Sequence, residues 1–331
     1  MRIYELKTFR PGFFEDLCDL TCSEIGERMI KVLIAAMVLT LAPFGVVRAQ
    51  QPNIEQRLAE ALEKAKRGDQ KSVAVLKKDP ELPKALSFLR RYLSDPNDRV
   101  KSGVFALAEG IHTPEAVSIL TDLMNEDQGR WGEASVRAFY DGYDCKELLD
   151  GGGPRLRDNL IVFVENEKKF SRAKAILLLS CFKDDKDAIR ALEGLGKGQR
   201  KTLTLDFHNQ VDQATSVDLA LAEIGNKPAL DRFLQRLEKG EVNDLIFALR
   251  AIRFINKKEV LAALVEKTKD KRIAVYPWSD DFYLRISDLA VNALAKKARK
   301  PLEIVVQDNY RYTDRELERA YELLKLNLPL K

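Results

Sequence analysis

A helix pair that returns roughly every 30–40 residues most limits what this chain can fold into. Each copy reads as an apolar helix, a short polar turn and a second apolar helix. The pattern covers Arg99–Asn125, Ser171–Lys197, Ser216–Lys239 and Asn243–Asp270. The turns inside these copies are Ile111–Glu115, Lys183–Asp187, Gly225–Pro228 and Ile255–Glu259. One such pair carries too few large apolar side chains to offset the backbone entropy lost on folding. Neighbouring pairs must therefore bury their faces against one another. The expected fold is all-α, a right-handed α-solenoid of stacked helical hairpins.

Local signals place the elements. Ile54, Leu58, Ala61, Leu62 and Ala65 form one stripe, with Gly68 as a stop just beyond. Leu82–Leu93 reads as a helix with Pro83 in its first turn. Ser94–Asp98 is a turn and N-cap cluster leading into the next helix, and Thr113-Pro114-Glu115 starts its partner. Arg130–Asp141 carries an apolar stripe through Trp131, Ala134, Ala138 and Phe139. Gly151-Gly152-Gly153-Pro154 is the sharpest breaker, so the stretch 126–168 reads as a degenerate repeat around an inserted loop. Thr202–His208 alternates and is the one candidate for an extended segment, while Lys271–Asp281 reads as a long polar-aromatic connection. Pro301–Tyr310 carries no clear pattern, and Thr313-Asp314-Arg315-Glu316 opens a last amphipathic helix. The resulting layout is 50–97 for N-terminal capping helices, 98–300 for the repeats and 301–331 for a C-terminal cap.

The N-terminus carries an address. Met29-Ile30-Lys31 precedes the charge-free stretch Val32–Val47, and Val47-Arg48-Ala49 supplies small or short residues at −3 and −1. Residues 29–49 therefore read as a secretory signal peptide cleaved between Ala49 and Gln50. The apolar stretch is shorter than the ~20 residues that span a membrane, and Pro43 and Gly45 interrupt it. A permanent anchor is the competing reading; no anchor is expected to remain after cleavage. Residues 1–28 hold Cys18, Cys22 and mixed charges, which suits either a start-site artefact ahead of Met29 or an extended n-region. An exported chain meets an oxidising compartment, where Cys145 and Cys181, about one repeat apart, can pair. The alternative is that each is a small buried hydrophobe.

Several segments resemble HEAT repeats, including the phycobilisome-lyase-like variety. They are Val104-Phe105-Ala106-Leu107-Ala108 through Ala116–Leu120, Leu219–Gly225 through Ala229-Leu230, and Leu249–Ile252 through Val260–Leu264. Tyr283–Leu294 is similar to the Arg-x-x-Asp-x-Ala-x-x-Ala-Leu first helix of bacterial HEAT proteins. The resemblance spans roughly Arg99–Lys300 with a weak middle. It implies that Arg285 and Asp288 tie neighbouring repeats together. It specifies fold far better than function.

Composition narrows the function classes. The charged fraction is 32% and the apolar fraction 45%, but the net charge is only +4, with signs mixed along helix faces. No nucleic-acid partner is expected from that balance. Gly194–Gly198 lacks the spacing and Ser/Thr of a phosphate loop and reads as a helix end. His112 and His208 stand without convergent ligands, and Asp184-Asp185 and Asp280-Asp281 read as helix caps, so no metal and no cofactor are expected. Arg232, Arg236, Arg250 and Arg253 read as an ordinary solvated face.

Two aromatic clusters stand out. Tyr276, Trp278 and Tyr283 lie in the longest connection, and Trp131, Tyr140 and Tyr143 precede the triple glycine. Each reads either as a set of anchors for a partner or as packing over adjacent repeats. The expected function is non-catalytic: an exported scaffold presenting a surface to another protein in the periplasm or outside the cell. A glycan-binding envelope protein using Trp131 and Trp278, or a lyase of the kind the resemblance includes, are the alternatives.

Overall fold

The computed structural model describes residues 52–198, 201–204, 210–275, 283–307 and 310–329. The signal-peptide segment, the cleavage point at Ala49 and Gln50, His208, Tyr276 and Trp278 lie outside the described residues. Among the described residues the fold is all-α in class, 70% helical with 16 α-helices and few strands.

Chain-local chemistry explains where the helices begin and end. α1 (Ile54–Lys66) buries Leu58, Ala61, Leu62 and Ala65 and is followed by α2 (Lys71–Leu76). Gly68 turns the chain between them at φ 102°, a left-handed backbone that glycine adopts without strain. α3 (Leu82–Ala85) runs into a 3-10 helix over Leu86–Tyr92, where a single α-helix was expected. Leu86, Leu89 and Tyr92 recur every third residue, the spacing that lines up side chains on a 3-10 helix. α4 (Asp98–Ala108) is capped by Asn97 and α5 (Pro114–Glu126) by Thr113, whose Oγ1 accepts from the Ala116 amide at 3.3 Å.

The middle of the chain holds α6 (Arg130–Gly142), α7 (Cys145–Gly151) and α8 (Gly153–Glu165). No inserted loop separates α7 from α8: the triple glycine is a tight kink between two consecutive helices. α7 approaches α5 so closely that a Cβ on Gly151 would lie 2.3 Å from the Pro114 carbonyl oxygen. Gly151 is thus a packing requirement at this point, not a sign of slack chain.

α9 (Arg172–Leu179) and α10 (Lys186–Lys197) follow, then α11 (Gln213–Glu223), α12 (Lys227–Lys239), α13 (Val242–Arg250), α14 (Lys258–Glu266), α15 (Ile286–Ala295) and α16 (Asp314–Asn327). Two small antiparallel ladders interrupt them. β1 (Thr202–Thr204) pairs with β2 (Gln210–Asp212), with Leu203 opposite Val211 and both buried. β3 (Ile273–Val275) pairs across a bulge with β4 (Leu284–Arg285). The stretch expected to be a plain connection, Lys271–Asp281, therefore contains a strand, because its pairing residues lie beyond the segment itself.

Packing runs from each helix to those just before and after it in the chain. α1 and α2 pack on α4, α4 on α5, and α5 on α6, α7 and α8. α6 and α8 pack on α9, and α9 and α10 on α11. From there α11 packs on α12, α12 on α13 and α14, and α13 and α14 on α15. One continuous set of buried apolar side chains extends from Leu58 to Leu328, with a satellite of Val291, Tyr312, Leu317 and Ala320 under α16.

One buried carboxylate works against this core. Asp244 in α13 is 8% exposed and accepts from Thr215 Oγ1 at 2.8 Å. Burial raises its carboxyl above the ordinary range; the Thr215 hydroxyl and Arg236 oppose this, while Asp212 and Glu241 add to it. Folding therefore favours the protonated form. The stabilisation it brings is complete below the ordinary carboxylate range and is lost as pH rises through the raised value. Asp244→Asn keeps an oxygen for Thr215 without the charge. It is expected to raise the urea midpoint at pH 7, and the difference should close as pH falls below the carboxylate range. An unchanged midpoint at pH 7 would count against this account.

Candidate functional site

Among the described residues, a concavity sits where α7 and α8 meet the turn after α9. α7 starts with a capping box: Asp144 Oδ1 accepts from the Glu147 amide at 2.8 Å, and Glu147 Oε2 accepts from the Asp144 amide at 2.8 Å. Gly153, at φ 51°, and Pro154 then start α8 in a new direction. Facing them is a 3-10 turn over Ser180–Phe182, continued by Lys183-Asp184-Asp185. Cys145 and Cys181 are joined by a disulfide that fixes the two walls together.

Between the walls lies a groove of about 400 Å³. Leu149, Pro154, Phe182 and the Cys181 side chain supply its apolar lining, and Lys183, Asp184 and Asp185 its polar lining. Leu149 is 42% exposed, so part of its apolar surface is accessible here. Asp185 is already committed: it caps α10 by accepting from the amides of Asp187 at 2.9 Å and Ala188 at 3.0 Å, and it pairs with Arg157. Burial alone would raise its carboxyl, but the Ala188 amide, Arg157 and the Asp187 amide hold it below the ordinary value. The exposed Asp184 and Lys183 are the charges left facing solvent. Such a lining suits reversible contact with a segment that is apolar in part and charged in part.

The sequence-derived aromatic candidates fall elsewhere. Trp131 is 4% exposed and packs against Phe105 with ring centroids 5.9 Å apart. Tyr140 is buried against Phe254, and its hydroxyl donates to the Arg250 carbonyl at 3.1 Å. Tyr143 is fully buried and donates to the Ala108 carbonyl at 3.1 Å. None of these three offers a surface to a partner, so their reading as exposed anchors is corrected: each ring has found an internal apolar face and each tyrosine hydroxyl an internal acceptor. The glycan-binding alternative thereby loses Trp131. Tyr283 is half-buried; Arg311 lies over its ring at 4.2 Å and donates to its hydroxyl at 2.7 Å.

Arg285 and Asp288 form a bidentate ion pair at 2.8 and 3.0 Å, both buried. Asp288 also accepts from the Tyr312 amide at 3.1 Å, and Arg285 donates to the Tyr312 carbonyl, which ties α15 to the chain entering α16. Arg232 and Arg236, read as a solvated face, share the buried Asp218. Arg253 departs from that reading more strongly, as its guanidinium is turned inward to backbone carbonyls of Tyr140 and Tyr143. His112 contacts Glu147 at 3.0 Å. Among the described residues no cluster of three or more His, Cys, Asp or Glu side chains is placed to hold a metal ion. No helix among them is long and apolar enough to cross a membrane.

Leu149 and Phe182 were not singled out from the sequence, and Arg253 was read there only as part of a solvated face. Leu149 could have been noticed as an apolar residue beyond the buried stripe of α7, whose buried residue is Leu148. Phe182 and Arg253 carry no local signal, because what matters about them comes from segments far along the chain. Compared with family models, curated proteins and solved structures, the chain matches none.

Proposed function

We propose that this chain is an exported, non-catalytic scaffold. It is a HEAT-like solenoid of helical hairpins that receives another protein in the periplasm or outside the cell. The observation that carries the proposal is the groove beside the Cys145–Cys181 staple, with accessible apolar lining from Leu149 and a charged rim at Lys183 and Asp184. Two features support the export half: the signal-peptide pattern over 29–49, and a disulfide of the kind that persists in oxidising compartments. Helix-to-neighbour packing along the chain supports the solenoid half.

The test places a photo-crosslinking residue at Leu149 in the full-length chain, with one at the 70%-exposed Val75 as a control. A discrete protein adduct specific to position 149, in material recovered outside the cytosol with Gln50 at its N-terminus, is the expected result. The same background at both positions would overturn the binding half. Retention of residues 29–49 in a cytosolic product would overturn the export half.

A further inference from the structure

An array of hairpins that touch only their chain neighbours behaves as a spring, because no contact limits how far it can open. Here two helix ends that are distant in the chain face each other. The last turn of α6 presents the carbonyl of Tyr140, and the C-cap just beyond it the carbonyl of Tyr143, neither with an acceptor role left within the helix. Arg253, in the 3-10 turn Ile252–Phe254 after α13, donates Nη1 to Tyr140 O at 2.6 Å and Nη2 to Tyr143 O at 2.5 Å. A cation at a helix C-terminus also meets the negative end of the helix dipole.

The exchange is reciprocal. Tyr140 Oη donates to the Arg250 carbonyl at 3.1 Å, and the Tyr140 and Phe254 rings stack at 5.1 Å with 30° between planes. Each of these hydrogen bonds joins residues 110 or 113 positions apart. Six helices, α7 to α12, intervene in the chain. Further groups hold Arg253's own turn in place. Lys297 Nζ donates to Arg253 O at 2.9 Å and Asn256 Oδ1 at 3.1 Å, and Glu223 accepts from the Asn256 amide at 3.0 Å.

We infer that Arg253 and Tyr140 form a latch that clasps two non-neighbouring hairpins and fixes the curvature of the stack between them. Releasing it lets the α7–α12 stretch open. This rests on the stacked-hairpin reading proposed above. A fork-shaped donor is needed because two carbonyls must be met at once, which a lysine ammonium does with poorer geometry. The latch sits beside the groove's staple: Cys145 lies two residues past Tyr143, so a change at Arg253 reaches the α7 wall through one turn of chain.

The test measures the distance between nitroxide labels at Asp141→Cys and Lys258→Cys by pulsed electron spin resonance. The chain is full length, with Cys18→Ser and Cys22→Ser and the native disulfide intact. The unaltered latch should give one narrow, short distance. Arg253→Met should add a longer, broader population with unchanged helical circular dichroism. A distribution identical to that of the intact latch would overturn the latch while leaving the stack untouched. A long distance already present with the latch intact would overturn the packing of the stack itself. If Arg253→Met does not fold, Arg253→Lys and Tyr140→Phe decide: each should yield a smaller long-distance population, and unchanged distributions in both would overturn the latch.

Discussion

Asp288→Ala is expected to destabilise the fold by about 3–5 kcal/mol, the range for removing one member of a buried ion pair. The carboxylate is fully buried and accepts four hydrogen bonds: from Arg285 N at 2.9 Å, Nε at 3.0 Å and Nη2 at 2.8 Å, and from the Tyr312 amide at 3.1 Å. Without it the Arg285 guanidinium stays buried with the Tyr312 carbonyl and a distant Asp314 as its remaining partners among the described residues. The Tyr312 amide loses its acceptor, and the anchorage of α16 goes with it. Tyr312 otherwise holds α16's approach through its hydroxyl to Asn292 at 2.7 Å and the Val305 carbonyl at 2.6 Å. Urea unfolding should show the loss, and amide exchange should show α16 losing protection ahead of the rest. Removing both charges together, as Arg285→Met with Asp288→Leu, should cost much less, since no buried charge is then left unpaired. A single-variant loss below about 1 kcal/mol, as an exposed pair would give, would contradict this picture.

Cys145→Ser is expected to cost about 3–4 kcal/mol, the chain-entropy value for a cross-link across this span. The cross-link closes a separation of 36 residues and restricts the unfolded chain throughout α7, α8 and α9. Cys145 opens α7, which has Leu148 as its one buried residue, so the cross-link carries much of that helix's attachment to the turn at Phe182. The measurement is the urea midpoint with and without a dithiol reductant. Reduced wild type should unfold near the Cys145→Ser midpoint, and the variant should be insensitive to reductant. Equal midpoints for oxidised and fully reduced wild type, with the thiols titrated, would sink the prediction.

Much of the helical framework was legible from residues alone. Thr113-Pro114 starts α5, Asn97 caps α4 and Thr313–Glu316 forms the capping box of α16, all where local signals put them. These are short-range effects: a side chain bonds an amide two or three residues away, and the sequence states both partners. The triple glycine misled for an equally physical reason. Gly-Gly-Gly-Pro is the composition of a loop, yet Gly151 ends a helix that needs the absence of a Cβ to lie against Pro114 and Val117. The strand Ile273–Val275 was hidden because a strand is defined by what pairs with it.

The candidate site was less legible than the fold. Its cysteines could be named as a possible pair, but Leu149, Phe182 and Lys183 become one surface only when α7 folds back on the turn after α9. The aromatic residues drew attention for their size and for where they lie in the sequence. Tertiary contacts then used Trp131, Tyr140 and Tyr143 for packing, since a large ring gains most by leaving water.

By itself, the sequence determined the all-α class, the capped starts of α4, α5 and α16 and the apolar stripes of the regular helices, because periodicity and capping act over a few residues. The tertiary structure alone decided which helix ends meet, where an accessible groove is left, and that Arg253 turns inward to Tyr140 and Tyr143. Contacts between residues more than a hundred positions apart depend on the summed rotations of every hairpin between them, and no local pattern records that sum.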